Sequence, residues 1–236
     1  MHSFPGARSP ADAPYISSMN LASLLPLTFS GSGKWYRAGL PALLLMLSGC
    51  SIVPPAKEDP TRYFVLSSPV QAPHVSHGSP GLAIGLAAID VPSYLRNNKA
   101  MIVRRSEHEI GYNEYARWAE PLEAGLHAMV RTGLLGSGEV QTVLTPPYAM
   151  GAARDYELHL RLIRCEGSVN PEGRHTALFA ASYQLVPTKS GERPALAGIY
   201  RSDQETWNGS DYGQLASLLS AAAVGLGEEI AAKMRQ

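Results

Sequence analysis

The feature that most constrains this chain is a four-residue pattern at the end of an apolar segment, where residues 47–50 read Leu-Ser-Gly-Cys. This is the pattern of a lipobox, in which small residues allow a peptidase to cut and the following cysteine thiol is alkylated with lipid. We therefore predict cleavage between Gly49 and Cys50 and a lipid anchor on Cys50. The alternative, a buried cysteine after a core helix, requires the basic flank, the small residues and the proline-rich sequel to coincide by chance.

The residues before the lipobox are organised as a secretory signal. Lys34 and Arg37 supply a basic n-region, and residues 38–47 supply an apolar h-region that is too short to span a bilayer permanently. Residues 1–49 are therefore predicted to be a signal peptide that takes no part in the fold. The n-region is long, so a translation start at Met19 is an alternative.

The net charge argues against binding to nucleic acid or anionic lipid, and the cysteine content argues against a disulfide-stabilised scaffold. From Cys50 onward the chain has 17 Lys or Arg and 19 Asp or Glu, a net charge of −2. This balance provides no electrostatic attraction for nucleic acid or anionic lipid, so membrane attachment must come from acyl chains. Lipidation of Cys50 leaves Cys165 without a disulfide partner, and we expect Cys165 to be a passive small residue rather than a reactive thiol.

The predicted mature chain consists of a short tether and one domain. Residues 50–60 contain three prolines among small and charged residues, which is typical of a semi-rigid tether with a reach of at most roughly 33 Å. The length of residues 61–236 suits a single domain with a sizeable core. The folded body should therefore act close to the membrane that anchors it.

Hydrophobic periodicity predicts an α/β domain with a mixed, largely antiparallel sheet and two main helices packed on it. Strands are predicted over residues 62–66, 82–91, 101–104, 109–112, 140–144, 156–162, 177–186 and 195–207. The last three should form a meander, and residues 69–80 should form a loop. One helix is predicted to begin at Pro121, and a last helix at Ser210 or Asp211, where Gln214 would complete a capping box.

Motifs for common enzyme chemistry are missing from the sequence, which contains no Walker loop, no G-x-S-x-G and no H-E-x-x-H. His74 and His77 have a spacing compatible with a metal pair but lack the further ligands of a complete shell, so no metal site is predicted. Glu157, His159 and Arg161 alternate along one strand, which favours a solvated strand face over acid–base catalysis. We predict neither an enzyme nor a cofactor.

Aromatic residues cluster just before the first helix, at Tyr112, Tyr115 and Trp118. Exposed tyrosine and tryptophan side chains serve well as anchors in protein interfaces. For Trp118 we favour packing beneath the helix, whereas for Tyr115 we favour a partner contact. The predicted partner-binding residues are Tyr94, Tyr115 and Trp118.

The segment Arg-Trp-Ala-Glu-Pro-Leu at residues 117–122 resembles the RWAEPL signature of the ABC-type transport auxiliary lipoprotein family, the PqiC and YmbA group. Residues 62–66 resemble the opening R-Y-Y-x-L strand of that family. Residues 91–95 match its V-P-x-Y-L turn, and residues 102–105 match its I-V-x-R strand. The resemblance extends to the final helix, but its specific motifs lie before residue 123.

This resemblance implies a lipoprotein on the periplasmic face of the outer membrane, and Ser51 in place of aspartate after Cys50 is consistent with that location. The family implies partners: a periplasmic MCE-domain protein with its ABC permease and ATPase, which move phospholipids or other hydrophobic compounds between membranes. It implies no catalytic residues. We expect a non-enzymatic accessory that acts by docking. A homo-oligomer is compatible with this role. A direct lipid carrier with an apolar pocket between helices and sheet, and an envelope hydrolase, are the alternatives.

Overall fold

The computed structural model describes residues 57–68, 81–189 and 193–235. Residues from Glu58 onward belong to one structural unit. Several sequence predictions concern residues outside the described ranges. These are the signal peptide, Gly49, Cys50, most of the tether, the loop over residues 69–80 with His74 and His77, and the middle of the turn before the last strand.

Within the described residues the chain forms eight strands and three helices, two of them long. The strands are β1 (Arg62–Phe64), β2 (Leu82–Leu86), β3 (Ala100–Arg104), β4 (Ile110–Trp118), β5 (Val140–Leu144), β6 (Tyr156–Val169), β7 (His175–Pro187) and β8 (Leu196–Arg201). The helices are α1 (Ser93–Arg96), α2 (Leu122–Gly136) and α3 (Tyr212–Lys233). The predicted α/β class is confirmed. α1 is not predicted from the sequence, because four residues are too few to show a helical period.

β6 organises the sheet, because at 14 residues it is long enough to hold three neighbours. Along one edge it pairs antiparallel with β7, and β7 pairs antiparallel with β8, which confirms the predicted meander. Along the other edge its first residues pair parallel with β2 and its last residues pair parallel with β3. β5 extends the sheet beside β2, and β4 followed by β1 extends it beside β3. The sheet is therefore mixed, and its longest ladder is antiparallel.

Three strands are shorter than predicted. The strands expected to run to Leu66, Val91 and Trp207 end at Phe64, Leu86 and Arg201. Val91 and Trp207 are nevertheless buried in the core. Val91 and Trp207 are apolar because they pack in the core after their strands have ended. A sequence pattern shows that such residues are buried, but it does not show whether their backbone is paired in a sheet.

The core lies between one face of the sheet and the two long helices. Alternate residues of β6 and β7 point into it, and both helices contribute an apolar face. Its fully buried side chains include Ile84, Leu86, Leu126, Leu134, Leu158, Leu162, Tyr183, Leu185, Leu215, Leu219 and Leu226. α3 is also long and apolar enough to cross a membrane, but half of its apolar window is buried in the fold, as expected for a core helix.

The start of α3 is fixed by the predicted cap. The Asp211 carboxylate accepts hydrogen bonds from the backbone N–H groups of Gly213 and Gln214 at 2.9 and 3.2 Å. The Gln214 side chain accepts from the N–H of Asn208 instead of from the cap residue, so the second half of the capping box is displaced upstream. α2 begins after Pro121, as predicted.

α2 and α3 cross in close contact at two glycines. A Cβ atom on Gly133 would collide with the carbonyl oxygen of Val224, and a Cβ atom on Gly227 would lie 2.5 Å from the carbonyl oxygen of Val130. Both obstacles are backbone atoms, which cannot move aside unless the helices separate. Gly133 and Gly227 therefore set the distance between the two helices.

Cys165 is a free cysteine buried on β6. Burial raises the pKa of its thiol far above the usual value, and the neighbouring Glu166 adds to the shift. The thiol is therefore protonated and inaccessible, as expected for a passive residue. Titrating the mature native protein with a thiol-reactive disulfide reagent should show no reactive thiol, and denaturation should expose one per chain, because Cys50 is predicted to be blocked by lipid. Rapid labelling of the native protein would contradict this assignment.

Candidate docking surface

The first exposed group lies on β1, at one end of the sheet. β1 pairs with β4 on one side, and its other edge has no strand neighbour among the described residues. Phe64 and Leu66 point inward, whereas Tyr63 is 64% exposed and Val65 is 47% exposed. Tyr63 and Val65 are not among the residues predicted to bind a partner. Their alternation with Phe64 and Leu66 is the signal that could have identified them.

Tyr115 is 46% exposed, as the sequence analysis expected. It lies in an irregular part of β4, where the pairing with β3 skips from Tyr112 to Arg117. The Asn113 side-chain oxygen accepts hydrogen bonds from the N–H groups of Tyr115 and Ala116 at 2.8 and 2.6 Å. This local turn replaces the missing ladder hydrogen bonds, so it holds Tyr115 at the surface.

Tyr63 and Tyr115 share one face of the β1–β4 pair. Tyr63 pairs with Arg117, and alternation along β4 returns to the same face at Tyr115. The carboxylate of Glu114 raises the pKa of Tyr115, with a smaller contribution from Asp59. The segment that enters the domain therefore lies near this tyrosine. We call the exposed group of Tyr63, Val65 and Tyr115 the tyrosine edge.

Trp118 does not belong to the exposed surface. Its side chain is 4% exposed and forms part of the hydrophobic core, in register with Phe64 of β1. The packing interpretation is thus confirmed. The inclusion of Trp118 among the partner-binding residues is wrong, because a side chain without solvent access cannot contact a partner.

Tyr94, on α1, is half-buried and fixed by hydrogen bonds. Its hydroxyl donates to the carbonyl oxygen of Ile163 at 3.3 Å, and its own carbonyl oxygen accepts from the Tyr112 hydroxyl at 3.3 Å. Burial, reinforced by the carboxylate of Glu166, raises the pKa of Tyr94 to about 12. Its polar groups are therefore engaged within the protein, and only part of its ring is accessible.

An ion pair that the sequence did not predict lies beside Tyr94. Arg104 Nε is 2.5 Å from Glu166 Oε1, and the side chains of Arg104 and Glu166 are 16% and 0% exposed. Arg104 also donates to the carbonyl oxygens of Ser106 and Glu107 at 3.4 and 2.9 Å. A buried carboxylate is costly unless it is paired. Arg104 therefore ties the turn between β3 and β4 to β6.

The polar side of β6 is a solvated face, as predicted. Arg161 is exposed and pairs with Asp90 at 3.4 Å, and Glu157 pairs with Arg154 at 3.3 Å. His159 between them is exposed. Across the described part of the chain, no three His, Cys, Asp or Glu side chains converge as metal ligands would.

Known proteins resemble this chain in sequence pattern and in fold. The family model for the ABC-type transport auxiliary lipoprotein component matches residues 64–231. Protein XCC0632 from Xanthomonas campestris has a TM-score of 0.61 at 16% identity, covering 74% of this chain and 94% of its own. An uncharacterised protein has a TM-score of 0.54 at 15% identity, covering 74% and 98%. At such identities the likeness is one of fold. No curated protein matches the sequence.

Proposed function

This chain belongs to the ABC-type transport auxiliary lipoprotein component family, and we propose that it is a non-enzymatic accessory that docks to a periplasmic MCE-domain protein. The complex would serve an ABC permease and ATPase that move phospholipids or other hydrophobic compounds. Cys50 would carry the lipid anchor, on the periplasmic face of the outer membrane. The observation that carries the docking proposal is the tyrosine edge.

The chemistry of the tyrosine edge suits a protein contact. Tyrosine is enriched at interfaces because its ring buries a large apolar area while its hydroxyl can still find a hydrogen-bond partner. Tyr63, Val65 and Tyr115 are each close to half-exposed or more. The outer edge of β1 has no strand neighbour in the part of the chain that the structure describes, so its backbone groups can pair with an incoming strand.

The tether would keep the tyrosine edge near the membrane. Residues 50–60 can span at most roughly 33 Å, and β1 begins at Arg62, just after them. Confinement of this kind raises the effective concentration of the domain for a partner at the same membrane to about the millimolar range. A modest intrinsic affinity would then be sufficient for docking.

The alternative of a lipid carrier requires an apolar pocket between helices and sheet. That space is occupied by buried side chains from both layers, among them Leu126, Leu158, Leu162 and Leu219. This packing argues against internal carriage of a lipid.

Docking can be tested by co-purification of the mature lipoprotein with a periplasmic MCE-domain protein. Truncating an anchor residue at the centre of an interface costs about 2 kcal/mol or more. The double substitution Tyr63→Ala and Tyr115→Ala is therefore expected to weaken the complex at least about tenfold. Ile199→Ala is a matched control, since Ile199 is 50% exposed on β8, at the far end of the sheet.

The double variant should unfold at the same denaturant concentration as the unmodified protein, because both side chains are at the surface. Unchanged complex formation by a folded double variant would exclude the tyrosine edge as the docking site. Failure of the unmodified protein to bind any periplasmic MCE-domain protein would refute the proposed function.

A further inference from the structure

A second surface feature lies near the end of the sheet opposite β1, across the meander. Arg164 of β6, Ala180 of β7 and Arg201 of β8 are directly paired in register. Directly opposite residues of antiparallel strands share a face, and the neighbouring Phe179 belongs to the core. The side chains of Arg164 and Arg201 therefore project from the face of the sheet that carries no helix, on either side of Ala180. Strands lie about 4.8 Å apart, so the two Cα atoms are about 10 Å apart.

The arginines border a depression. Arg164 and Arg201 line a cavity of about 300 Å³ together with Ile163, Leu178, Ser202 and Gln204. A neighbouring cavity of about 260 Å³ shares Gln204 and adds Arg174, Ser168 and Thr176. We call these two adjoining cavities the arginine trough. It combines three cationic side chains with hydroxyl and amide groups and two partly exposed apolar side chains.

Among the described residues, the positive charge of the arginine trough is not balanced by acidic side chains that line it. None of the residues lining either cavity is acidic. Over the described ranges, Arg164, Arg174 and Arg201 have no carboxylate oxygen within 4 Å of their guanidinium nitrogens.

Two of the nearby charged groups, Glu166 and Arg161, are held in ion pairs elsewhere. Glu166, which is on the same face of β6 as Arg164, is held by Arg104. Asp203 and Glu205 line a different cavity, beside α3. Arg161, on the same strand as Arg164, is paired with Asp90. The trough thus presents several guanidinium groups that are free to bind an external anion.

We propose that the arginine trough binds an organic phosphate, with Arg164 and Arg201 holding the phosphate oxygens from both sides. The planar guanidinium fork matches phosphate and forms charge-assisted, bidentate hydrogen bonds. Ser202 and Gln204 supply further donors, and Ile163 and Leu178 contact the first carbons of the ester group. A cavity of about 300 Å³ is at the lower limit for ligand pockets, so the ligand is a headgroup-sized molecule rather than an acyl chain.

Calorimetric titration of the full mature lipoprotein in a non-ionic detergent tests this proposal. The probes are glycerol 3-phosphate, inorganic phosphate, and phosphatidylglycerol added to the micelles, with phosphatidylcholine as the zwitterionic reference. Both organic phosphates should bind more tightly than inorganic phosphate. Preference for phosphatidylglycerol over phosphatidylcholine would identify a lipid headgroup as the source, and preference for glycerol 3-phosphate would identify a soluble ester.

The combined substitution Arg164→Ala and Arg201→Ala should weaken binding at least about tenfold, because it removes several charge-assisted hydrogen bonds. Arg161→Ala removes one positive charge, from the same strand as Arg164, and should change binding less than about twofold. Arg161 and Arg201 are exposed, and Arg164 is partly exposed. The single substitution Arg201→Gln provides a milder variant if the double substitution disturbs folding.

Three results would overturn the proposal: no heat with any phosphate probe, equal binding by the folded arginine variants, or an equal loss in Arg161→Ala. Tighter binding of a hexaglutamate peptide than of either organic phosphate would assign the arginine trough to an acidic protein partner instead. None of these measurements involves the MCE-domain protein, so they are independent of the docking proposal.

Discussion

Alanine at Gly133 or at Gly227 is expected to lower the free energy of unfolding by about 3 kcal/mol or more. Each added methyl group would meet a backbone carbonyl of the opposite helix, Val224 or Val130. Overpacking of this kind typically costs 1–3 kcal/mol, and occasionally more, when the neighbours cannot shift. Small domains have a total stability of roughly 5–15 kcal/mol, so either variant should be severely destabilised.

The prediction is specific because the expected change in the free energy of unfolding is opposite in sign to that of an ordinary glycine-to-alanine substitution in a helix. In an unobstructed helix, replacing glycine by alanine stabilises the fold by up to about 1 kcal/mol. Arg131→Ala is a suitable control, because Arg131 is an exposed residue of α2 and should change stability by less than about 0.5 kcal/mol. Denaturant unfolding followed by circular dichroism measures all three variants. If Gly133→Ala were as stable as the unmodified protein, α2 and α3 could not be in backbone contact.

Replacement of Cys50 by serine is expected to move nearly all of the protein from the membrane fraction to the soluble fraction. A serine hydroxyl does not replace the thiol that is predicted to receive the lipid, and residues 50–236 have a net charge of −2 with no polybasic segment to hold them at a membrane. Acyl chains contribute about 0.8 kcal/mol per buried methylene, so their loss removes the whole anchoring energy.

Cys165→Ser is the matched control for the anchoring experiment. Cys165 is the other cysteine of the chain, and it is buried in the domain, so its variant should stay in the membrane fraction. Cell fractionation followed by immunoblotting distinguishes the two cysteines. Cys50→Ser protein that remains fully membrane-bound would show that the lipobox interpretation is wrong.

The parts of the fold that could be predicted from the sequence are those set by local patterns. Leu158, Leu160 and Leu162 alternate with polar residues because one face of β6 is buried, and Asp211 caps α3 through hydrogen bonds to residues two and three positions away. The neighbours of β6 could not be read in this way. Its pairings with β2 and β3 join segments far apart in the sequence, and nothing local specifies them.

The candidate docking surface, like the fold, could be predicted only where local sequence patterns determine it. Tyr115 and Trp118 are three residues apart, and an odd spacing on one strand places two side chains on opposite faces. Alternation alone could therefore have shown that one of the two is buried. The pairing of Arg104 with Glu166 could not have been found, because each residue alone resembles an ordinary surface charge. The arginine trough depends on the register of three strands, which the meander prediction left undefined.

The attachment of β1 has a mechanical consequence. Any force on a lipid anchor would travel along the chain and reach the domain first at β1, which is held to β4 by a parallel ladder of three residue pairs. Beyond it, Leu66 is embedded in the core and the N–H of Ser67 is bonded to the Ser220 hydroxyl at 3.1 Å. The load would therefore be resisted at this short ladder. A partner bound at β1 would therefore stabilise the β1–β4 ladder against force transmitted from the membrane.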